Sequence, residues 1–399
     1  MYSAKSGDTF ERVSRIIYGF ESNSGLIATA NPGVSDPIPE GTPLTIPRNS
    51  KALANRPAGS SEEVSIEIEG VRYRFWTRAV INLSIDQIAT VAFSAPFDSE
   101  SKSFRKTFSQ LSYKPLDLFI GGEQIFSGTM MSISPAITPS SKTIEVSGYA
   151  KSGVLNDCTI PLGADVEFND QGLSAIAKAL LKPFGIEAKF DDDEGAIFDV
   201  VAIEPDETIM PFLIKLAKQR GLVVTSSKDG GLVFLKSKIN GRPVASFKQG
   251  ASPLISVTSN IDPQSYYSHI SAIDSAGGGE EYTEINPLLT GVLRPSTAVA
   301  GDTEGAGVKE AAQSRAARMF AESASYSVEL STWRDSLGNL WKPNTIVKLI
   351  AQDAMIYDHY NFLIKSISFS RDASSETATL KLVIPEAYSG LMPRKVPWG

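Results

Sequence analysis

Near the end of the chain, residues 331–343 read STWRDSLGNLWKP, and they join segments that have a strong strand pattern. Asp335, Gly338 and Asn339 are typical turn residues, two tryptophans flank them, and Pro343 fixes the backbone before the next segment. We predict strands around this turn at residues 326–330, 346–350 and 362–369. The segment therefore predicts a strand–turn–strand unit inside a β-domain.

The totals of the chain limit the function classes. With 399 residues, 42% hydrophobic and 21% charged, the chain is too long for one core, so several domains are expected. It has no apolar run of about 18 residues and no apolar signal segment at its start, so neither a membrane span nor secretion is predicted. The single cysteine, Cys158, excludes an internal disulfide and fits a reducing cytosol. A net charge of −7 argues against specific nucleic-acid binding.

Residues 1–48 form a unit of their own, with the predicted order β-α-α-β. A Gly-Asp-Thr turn at residues 7–9 leads into a helix with an apolar stripe, and an Asn-Pro-Gly turn at residues 31–33 follows a second helix. The unit closes on residues 38–47, which read IPEGTPLTIP. Residues 49–62 are polar and contain Pro, Gly and Ser, which predicts a linker.

From Val64 the apolar pattern changes to a period of two. If Glu69-Gly70 is a two-residue turn, one hairpin register satisfies both faces, with Ile68 opposite Val71, Ile66 opposite Tyr73 and Glu67 opposite Arg72. Further short strands and one long excursion predict a first β-barrel over residues 63–150. Residues 151–250 carry helices at 171–184 and 208–220, which predict an inserted α+β region. Residues 251–399 return to strands, with a helix near 308–323, and predict a second β-barrel.

The two β regions share an order of short segments. Tyr113-Lys114-Pro115 and Trp341-Lys342-Pro343 each precede a strand, and Ser-Ile-Ser follows at 132–134 and at 366–368. Residues 141–146 (SKTIEV) and 375–380 (SETATL) then occupy the same place in the order. Repeated order predicts a duplicated unit.

This ordered set resembles the Mu-like baseplate hub proteins of contractile-tailed bacteriophages. Besides the two β regions, residues 148–158 (GYAKSGVLNDC) look like the strand exit after the first hub barrel, and residues 207–235 are similar to the inserted domain of these hubs. The resemblance implies a structural protein with two tail-tube-like barrels, so that a homotrimer presents six barrels to a sixfold tube and a threefold spike. The implied partners are the tail tube protein, the central spike protein and the baseplate wedge proteins. The implied location is the virion tail baseplate, after synthesis in the host cytoplasm.

The N-terminal unit resembles a LysM domain, through its G-D-T opening, its Asn-Pro turn and its closing P-x-G-x-x-L-x-I-P pattern. LysM domains bind N-acetylglucosamine polymers in a shallow groove, and the resemblance places that groove at two loops. The groove residues it implies are Gly7, Asp8, Thr9 and Phe10 on one loop and Pro32, Gly33 and Val34 on the other. The alternative, which we favour, is a docking adaptor for other tail proteins, because these loops lack exposed aromatic platforms for sugar.

Catalytic, cofactor and metal sites are not predicted, and neither is enzyme activity. His269 and His359 lie in separate segments, without the clustered ligands of a zinc or nucleophile site, and Cys158 is interpreted as a small core residue. The acidic run at residues 191–194 lacks the spacing of an EF-hand and is interpreted as a solvated loop. Gly301, Gly305 and Gly307 lack the Gly-Lys-Ser/Thr of a phosphate loop.

The fold class expected is therefore a β-rich, multidomain α+β protein, with a LysM-like unit, two tail-tube-like barrels and an inserted α+β region. Two alternatives to the phage hub remain open at this point. One is a LysM-targeted protein that binds or degrades peptidoglycan, and the other is the hub of a related contractile injection system.

Overall fold

The computed structural model describes residues 2–18, 24–46, 62–73, 76–98, 100–138, 141–274, 279–300, 307–372 and 375–399. Strands hold 41% of the residues and helices 21%, which confirms the β-rich prediction. The linker predicted at 49–62 lies outside the described residues, apart from Glu62. No helix in the described ranges is long and apolar enough to cross a membrane.

The N-terminal unit has the predicted element order. It consists of β1 (Tyr2–Ser3), α1 (Phe10–Tyr18), α2 (Ser24–Ala30) and β2 (Pro43–Leu44), with β1 and β2 antiparallel. Its core is separate from the rest of the molecule and contains Ala4, Phe10, Val13, Ile27, Ile38 and Leu44. The order fits the expected βααβ unit, while its membership of the LysM fold stays a prediction.

The described residues of the first β region form seven strands and one short helix. These are β3 (Val64–Ile68), β4 (Val71–Tyr73), β5 (Arg78–Ser84), β6 (Thr90–Pro96), α3 (Lys102–Thr107), β7 (Pro115–Ile120), β8 (Glu123–Ile137) and β9 (Lys142–Ala150). The hairpin register predicted for β3 and β4 is confirmed at all three residue pairs. Glu69 and Gly70 both have positive φ, as a tight two-residue turn requires.

The inserted region contains three helices that cover two small sheets. Its elements are α4 (Val154–Asp157), β10 (Glu167–Gln171), α5 (Leu173–Leu181), β11 (Ala188–Phe190), β12 (Phe198–Ala202), α6 (Ile209–Gln219), β13 (Val223–Ser226) and β14 (Leu232–Leu235). Its apolar core includes Ile176, Leu180, Leu213 and Leu216, which are fully or almost fully buried as their helical spacing predicts. Gly185 and Gly221 have positive φ just beyond the two longer helices.

The C-terminal region contains nine strands and one helix in the described ranges. They are β15 (Ser246–Lys248), β16 (Leu254–Ile261), β17 (His269–Ile273), β18 (Glu281–Ile285), β19 (Pro295–Val299), α7 (Val308–Ser323), β20 (Ala324–Leu330), β21 (Ile346–Ala351), β22 (Ile356–Asp372) and β23 (Glu376–Val383). Helix α7 has the bounds predicted for it. Two features differ from the expectation: β15, placed in the inserted region by sequence, pairs with β21, and β17, β18 and β19 form a separate three-stranded sheet.

One large sheet runs through both β regions. Its strand order is β16-β20-β23-β22-β5-β6-β9-β8-β7-β3-β4. In addition, β21 pairs with β22, and β15 pairs with β21. The regions are joined where β5 pairs with β22. Both therefore share one hydrogen-bonded sheet and one apolar core cluster. The closure of each region into a barrel stays a prediction.

The turn at 331–343 forms as its residues predict. The Asp335 carboxylate accepts hydrogen bonds from the backbone N–H groups of Leu337 and Asn339, both at 2.9 Å, and Gly338 has a φ of 84°. The Trp333 side chain is 1% exposed, and its Nε1 donates to the Thr377 carbonyl at 2.8 Å. The turn is thereby attached to β23 before the chain enters β21.

Candidate functional site

The two β regions repeat the same strand connections. In the first, antiparallel pairs give the order β7-β8-β9-β6-β5, and in the second they give β21-β22-β23-β20-β16. A bulge interrupts β8 between Met130 and Ser132, and β22 has its bulge between Ile364 and Ser366. The predicted duplication is therefore confirmed at the level of strand order.

Two of the three repeated sequence segments occupy equivalent positions. Ile133 lies opposite Val146 in the first repeat, as Ile367 lies opposite Leu380 in the second. The predicted match of Tyr113-Lys114-Pro115 with Trp341-Lys342-Pro343 is wrong by three positions, because the strand pairs make Pro115 equivalent to Ile346 and not to Pro343. The sequence comparison aligned the two aromatic-Lys-Pro segments, but similar turn residues can occur in two loops at different distances from the following strand.

The junction of the repeats is an antiparallel pairing of β5 with β22. It runs from Ser84 opposite Ser366 to Arg78 opposite Asp372. On one face, Ile81 and Phe369 lie opposite each other and both are completely buried. Main-chain hydrogen bonds and apolar burial on this face therefore hold the two repeats in a fixed orientation.

A cluster of charged and hydroxyl side chains lies at the end of this junction. The Asp86 carboxylate accepts hydrogen bonds from Ser84 Oγ at 2.7 Å and from the Tyr388 hydroxyl at 3.1 Å, and it pairs with Lys365 Nζ at 3.0 Å. Burial alone would raise the pKa of Asp86, but the Lys365 charge and these hydrogen bonds hold that pKa below its usual value. Burial and the Asp86 carboxylate raise the pKa of Tyr388 to about 12.

A second polar contact joins the start of β3 to the Trp-flanked turn. Arg334 Nη2 donates to Glu62 Oε2 at 2.9 Å, and Arg371 Nη1 donates to the Glu62 carbonyl. The adjacent Glu62 carboxylate raises the pKa of Arg334, so this guanidinium stays charged. The first residues of the first repeat are therefore held by the second repeat.

The opposite face of the joined sheet carries small polar side chains. They line a shallow depression of about 520 Å³ across β5, β22, β23, β20 and β16. The lining includes Asn82, Ser84, Thr90, Thr258, Asn260, Ser325, Ser327, Ser366, Ser368, Thr379 and Lys381. Because hydroxyl and amide groups stay hydrated and Lys381 is the single charged residue in this lining, the face offers a smooth, weakly charged wall. A wall of this kind suits passive contact with a neighbouring or passing molecule.

The predicted groove of the N-terminal unit is only partly available to a ligand. Gly7, Pro32 and Gly33 are exposed, and Thr9 and Val34 are half-buried. In contrast, Asp8 is 1% exposed and Phe10 is 7% exposed.

The two buried residues of this set hold the loops themselves. Asp8 Oδ2 accepts hydrogen bonds from the Tyr2 hydroxyl at 2.9 Å and from the Lys5 N–H at 2.8 Å, and the phenyl ring of Phe10 belongs to the unit's core. Burial and this bond to Asp8 raise the pKa of Tyr2 to about 12. Asp36, which the sequence reasoning missed, joins the loops, since its Oδ1 accepts from the Phe10 N–H at 2.8 Å.

An aromatic cavity of about 500 Å³ lies between the N-terminal unit and the first β region. Its wall includes Tyr73, Trp76, Phe93, Phe97, Phe104 and Phe108, with Thr9 and Arg12 of the N-terminal unit at its margin. Arg12 Nη2 also pairs with Glu100 Oε2 at 3.2 Å. Sequence reasoning missed this cavity, because its aromatic residues are scattered from 73 to 108 without a shared period.

The other candidate residues have structural surroundings. His269 Nδ1 lies 2.9 Å from Ser268 Oγ in a strand, and Cys158 is half-buried instead of lying in the core as predicted. Glu194 accepts the Ser174 N–H and hydroxyl, so part of the acidic run caps α5. Within the described ranges, His, Cys, Asp and Glu side chains form no group of three that could hold a metal.

Comparisons with known proteins match several parts of the chain. Residues 152–236 match the family model "Baseplate hub protein gp44-like, second domain", and residues 306–390 match "Mu phage baseplate assembly protein GpP, fourth domain". The baseplate hub protein gp44 of Escherichia phage Mu is 22% identical over 316 residues, which cover 73% of this chain and 79% of gp44.

Solved structures share the fold. The 43 kDa tail protein of prophage MuSo2 from Shewanella oneidensis has a TM-score of 0.72 at 28% identity, over 82% of this chain and 99% of that one. The c3393 protein of E. coli is described as a type VI secretion component that resembles the T4 tail proteins gp27 and gp5. It has a TM-score of 0.52 at 11% identity, over 84% of this chain and 80% of its own.

These matches define the class first: gp44 and the MuSo2 protein are structural proteins of phage baseplates and tails, and neither is described as an enzyme. Within that class, the two domain matches, the relative from phage Mu and the MuSo2 structure support the gp44-like family of Mu-like baseplate hub proteins.

Proposed function

We propose that this protein is the central hub of a contractile-tail baseplate, which assembles as a homotrimer and joins the tail tube to the central spike. The repeated strand order carries this proposal. Two equivalent units in each of three chains give six similar units, so a threefold ring can meet a sixfold tube on one side and a threefold spike on the other.

The contacts within one chain suit this mechanical role. The β5–β22 pairing, the Asp86–Lys365–Tyr388 cluster and the Glu62–Arg334 contact fix the two repeats against each other. A rigid pair of units transmits force between tube and spike without an internal hinge. The small polar face then lines the bore, where weak charge lets DNA or protein pass without being held.

Light scattering of the purified protein tests the proposal. We expect a trimer, or a monomer that becomes a trimer when the spike protein is added, and a view along the axis by electron microscopy should show six similar units. A protein that stays monomeric in both conditions contradicts the trimeric hub.

We infer that the N-terminal unit is a docking adaptor for other baseplate proteins. Among the implied groove residues the exposed ones are Gly7, Pro32 and Gly33, which offer little surface for stacking against sugar. Sedimentation with purified peptidoglycan separates the two interpretations: the adaptor predicts no co-sedimentation. Binding that is lost in Gly33→Trp, while Glu40→Gln binds normally, would favour glycan recognition instead.

The hub of a related contractile injection system is a second candidate. The fold shared with the type VI secretion component favours it, and the same trimeric ring serves either machine. Co-purification with a tail sheath, a capsid or an effector-loaded spike from the native producer distinguishes the two settings.

A further inference from the structure

The junction between the repeats leaves two strand edges without an equivalent partner. In the first repeat, β5 is covered by residues 366–372 of β22. The equivalent strand in the second repeat, β16, ends the sheet, and in the described part of the chain only β20 pairs with it. Residues 132–137 of β8 are equivalent to 366–371 of β22, and among the described residues they pair only with β9.

We propose that these two edges pair with each other between neighbouring copies of the chain, with β8 of one copy antiparallel to β16 of the next. This inference rests on the proposed trimer and adds the contact that builds it. The occupant of each edge is a second copy because the chain already contains the same junction once, between its own β5 and β22. A head-to-tail contact of this kind closes into a ring when the rotation between copies is one third of a turn, as the proposed trimer requires.

The internal junction also fixes the register of the proposed one. There Leu83 lies opposite Ile367, Ile81 opposite Phe369 and Ala79 opposite Arg371. When the two repeats are aligned by their strand pairs, Ile133, Pro135 and Ile137 of β8 take the places of Ile367, Phe369 and Arg371 of β22. In the same alignment, Ile261, Ser259 and Val257 of β16 take the places of Leu83, Ile81 and Ala79 of β5. The predicted pairs between copies are Ile133–Ile261, Pro135–Ser259 and Ile137–Val257.

The backbone groups at these positions point outward. The Asp262 N–H donates to the Ser323 carbonyl beside β20, so alternation directs Val257, Ser259 and Ile261 to the free edge of β16. The Thr138 N–H donates to Ser141 beside β9, so Ile133, Pro135 and Ile137 face the free edge of β8. Three such pairs exchange six hydrogen bonds, and Pro135, which has no N–H, leaves about five.

The side chains support the same register. Ile137 is 67% exposed and Ile261 is 44% exposed, although both lie on strands and on the face that is buried at the internal junction. Pairing would cover them as Phe369 and Ile81 are covered. On the opposite face, Ser134 and Ala136 would meet Asn260 and Thr258, so the small polar face would continue from one copy to the next. Edges of this kind are open to association unless something covers them.

Cysteine cross-linking tests the register in the full-length chain. In a Cys158→Ser background, Ser134→Cys together with Asn260→Cys places two thiols at directly opposite positions that do not exchange hydrogen bonds, where Cα atoms lie about 4.5 Å apart. We expect oxidation to give covalent dimers and trimers on a non-reducing gel. The matched control, Ser134→Cys with Ser256→Cys, shifts one thiol by four residues, about 13 Å along the strand, and should not cross-link.

The contact is between chains, so the two thiols can also be placed on different copies. A mixture of the Ser134→Cys protein and the Asn260→Cys protein should give a cross-linked dimer, while neither variant does so alone. Ser259→Pro removes an outward N–H and leaves the β20 pairing intact, so we expect association about tenfold weaker with an unchanged thermal unfolding of the monomer.

The outcomes separate the two proposals. A trimer that shows no cross-link, or an equal one in the shifted control, overturns the β8–β16 contact and leaves the hub proposal standing. A protein that remains monomeric, also with the spike, overturns the trimer and the contact together. Cross-linking restricted to the predicted pair supports both.

Discussion

Trp333 connects three parts of the second repeat. Its Nε1 donates to Thr377, its ring centroid lies 5.3 Å from that of Phe369, and Phe369 lies on the strand that joins the repeats. A large buried aromatic residue with a satisfied N–H contributes both apolar burial and a fixed orientation.

Trp333→Ala should therefore destabilise the protein by about 3–5 kcal/mol, because it leaves a cavity and an unpaired carbonyl. Chemical unfolding followed by circular dichroism measures the change. Leu337→Ala, in the same turn but 82% exposed, is the matched control and should change the stability by less than about 0.5 kcal/mol. If the two substitutions changed the free energy of unfolding equally, the buried Trp333 ring and its hydrogen bond would not be the source of the stabilisation.

Asp86 is a second residue on which the junction depends. Its folded pKa lies below the value of about 3.9 that is usual for an unfolded chain, so the ionised form is preferred in the folded state. The stabilisation it provides is fully present above the unfolded pKa and is lost as the pH falls through the folded pKa.

We expect Asp86→Asn to cost about 1–3 kcal/mol at pH 7, and this difference from the wild type should shrink below about pH 4. The midpoint of urea unfolding, measured from pH 7 to pH 3, gives the comparison. Asp191→Asn removes an ion pair to the exposed Lys189 and is the control, because it should leave the urea midpoint close to that of the wild type. A pH-independent cost for Asp86→Asn would contradict the ion-pair explanation.

At the level of elements, β8 and β9 approach each other closely near the bulge. A Cβ atom on Gly148 would lie 2.5 Å from the Thr129 carbonyl oxygen and 3.0 Å from Leu116. The Thr129 carbonyl belongs to the partner strand β8, and Leu116 is completely buried on β7, so β8 and β9 would have to separate to accept a methyl group. The bulge geometry thus depends on a residue without a side chain.

Gly148→Ala should destabilise the first repeat by about 1–3 kcal/mol through overpacking. Gly25→Ala is the control, because a Cβ there would have no neighbour within 4 Å and Gly25 lies in a helix. The control should leave the thermal midpoint unchanged or slightly raised. If Gly148→Ala unfolds at the wild-type temperature, the close approach has no energetic consequence.

At the level of the whole molecule, the N-terminal unit is a separate folding unit. Its core shares no residue with the core of the large sheet, and an exposed ion pair from Arg12 to Glu100 is among its links to the rest. The repeats, in contrast, share one sheet and one core.

Ile27→Asp, which places a charge in the N-terminal core, should unfold that unit and leave the main unfolding transition and the oligomeric state unchanged. Limited proteolysis should then remove the first residues, while light scattering still gives the wild-type mass. Thr29→Asp, on the exposed side of the same helix, should behave as the wild type. Loss of the oligomer in Ile27→Asp alone would place the N-terminal unit inside the assembly contact.

Local patterns were sufficient for many elements. The β3–β4 register follows from alternation and a two-residue turn, and the bounds of α7 and the ends of α6 follow from helical spacing and Gly221. The order of segments also revealed the duplication, because bulges and strand pairs occur at the same places in both copies. These features depend on residues close together in the chain.

Tertiary structure alone determined the contacts between distant segments. The pairing of β5 with β22, the return of β15 to the large sheet and the pairing of β16 with β20 join residues far apart in sequence, and no local periodicity encodes them. The burial of Phe10 in one core with Ile27, Ile38 and Leu44 belongs to the same class. The sequence by itself determined which elements form and that one unit occurs twice, since those depend on side-chain period and turn chemistry. Which edges meet, and which remain free, depends on how the whole sheet folds.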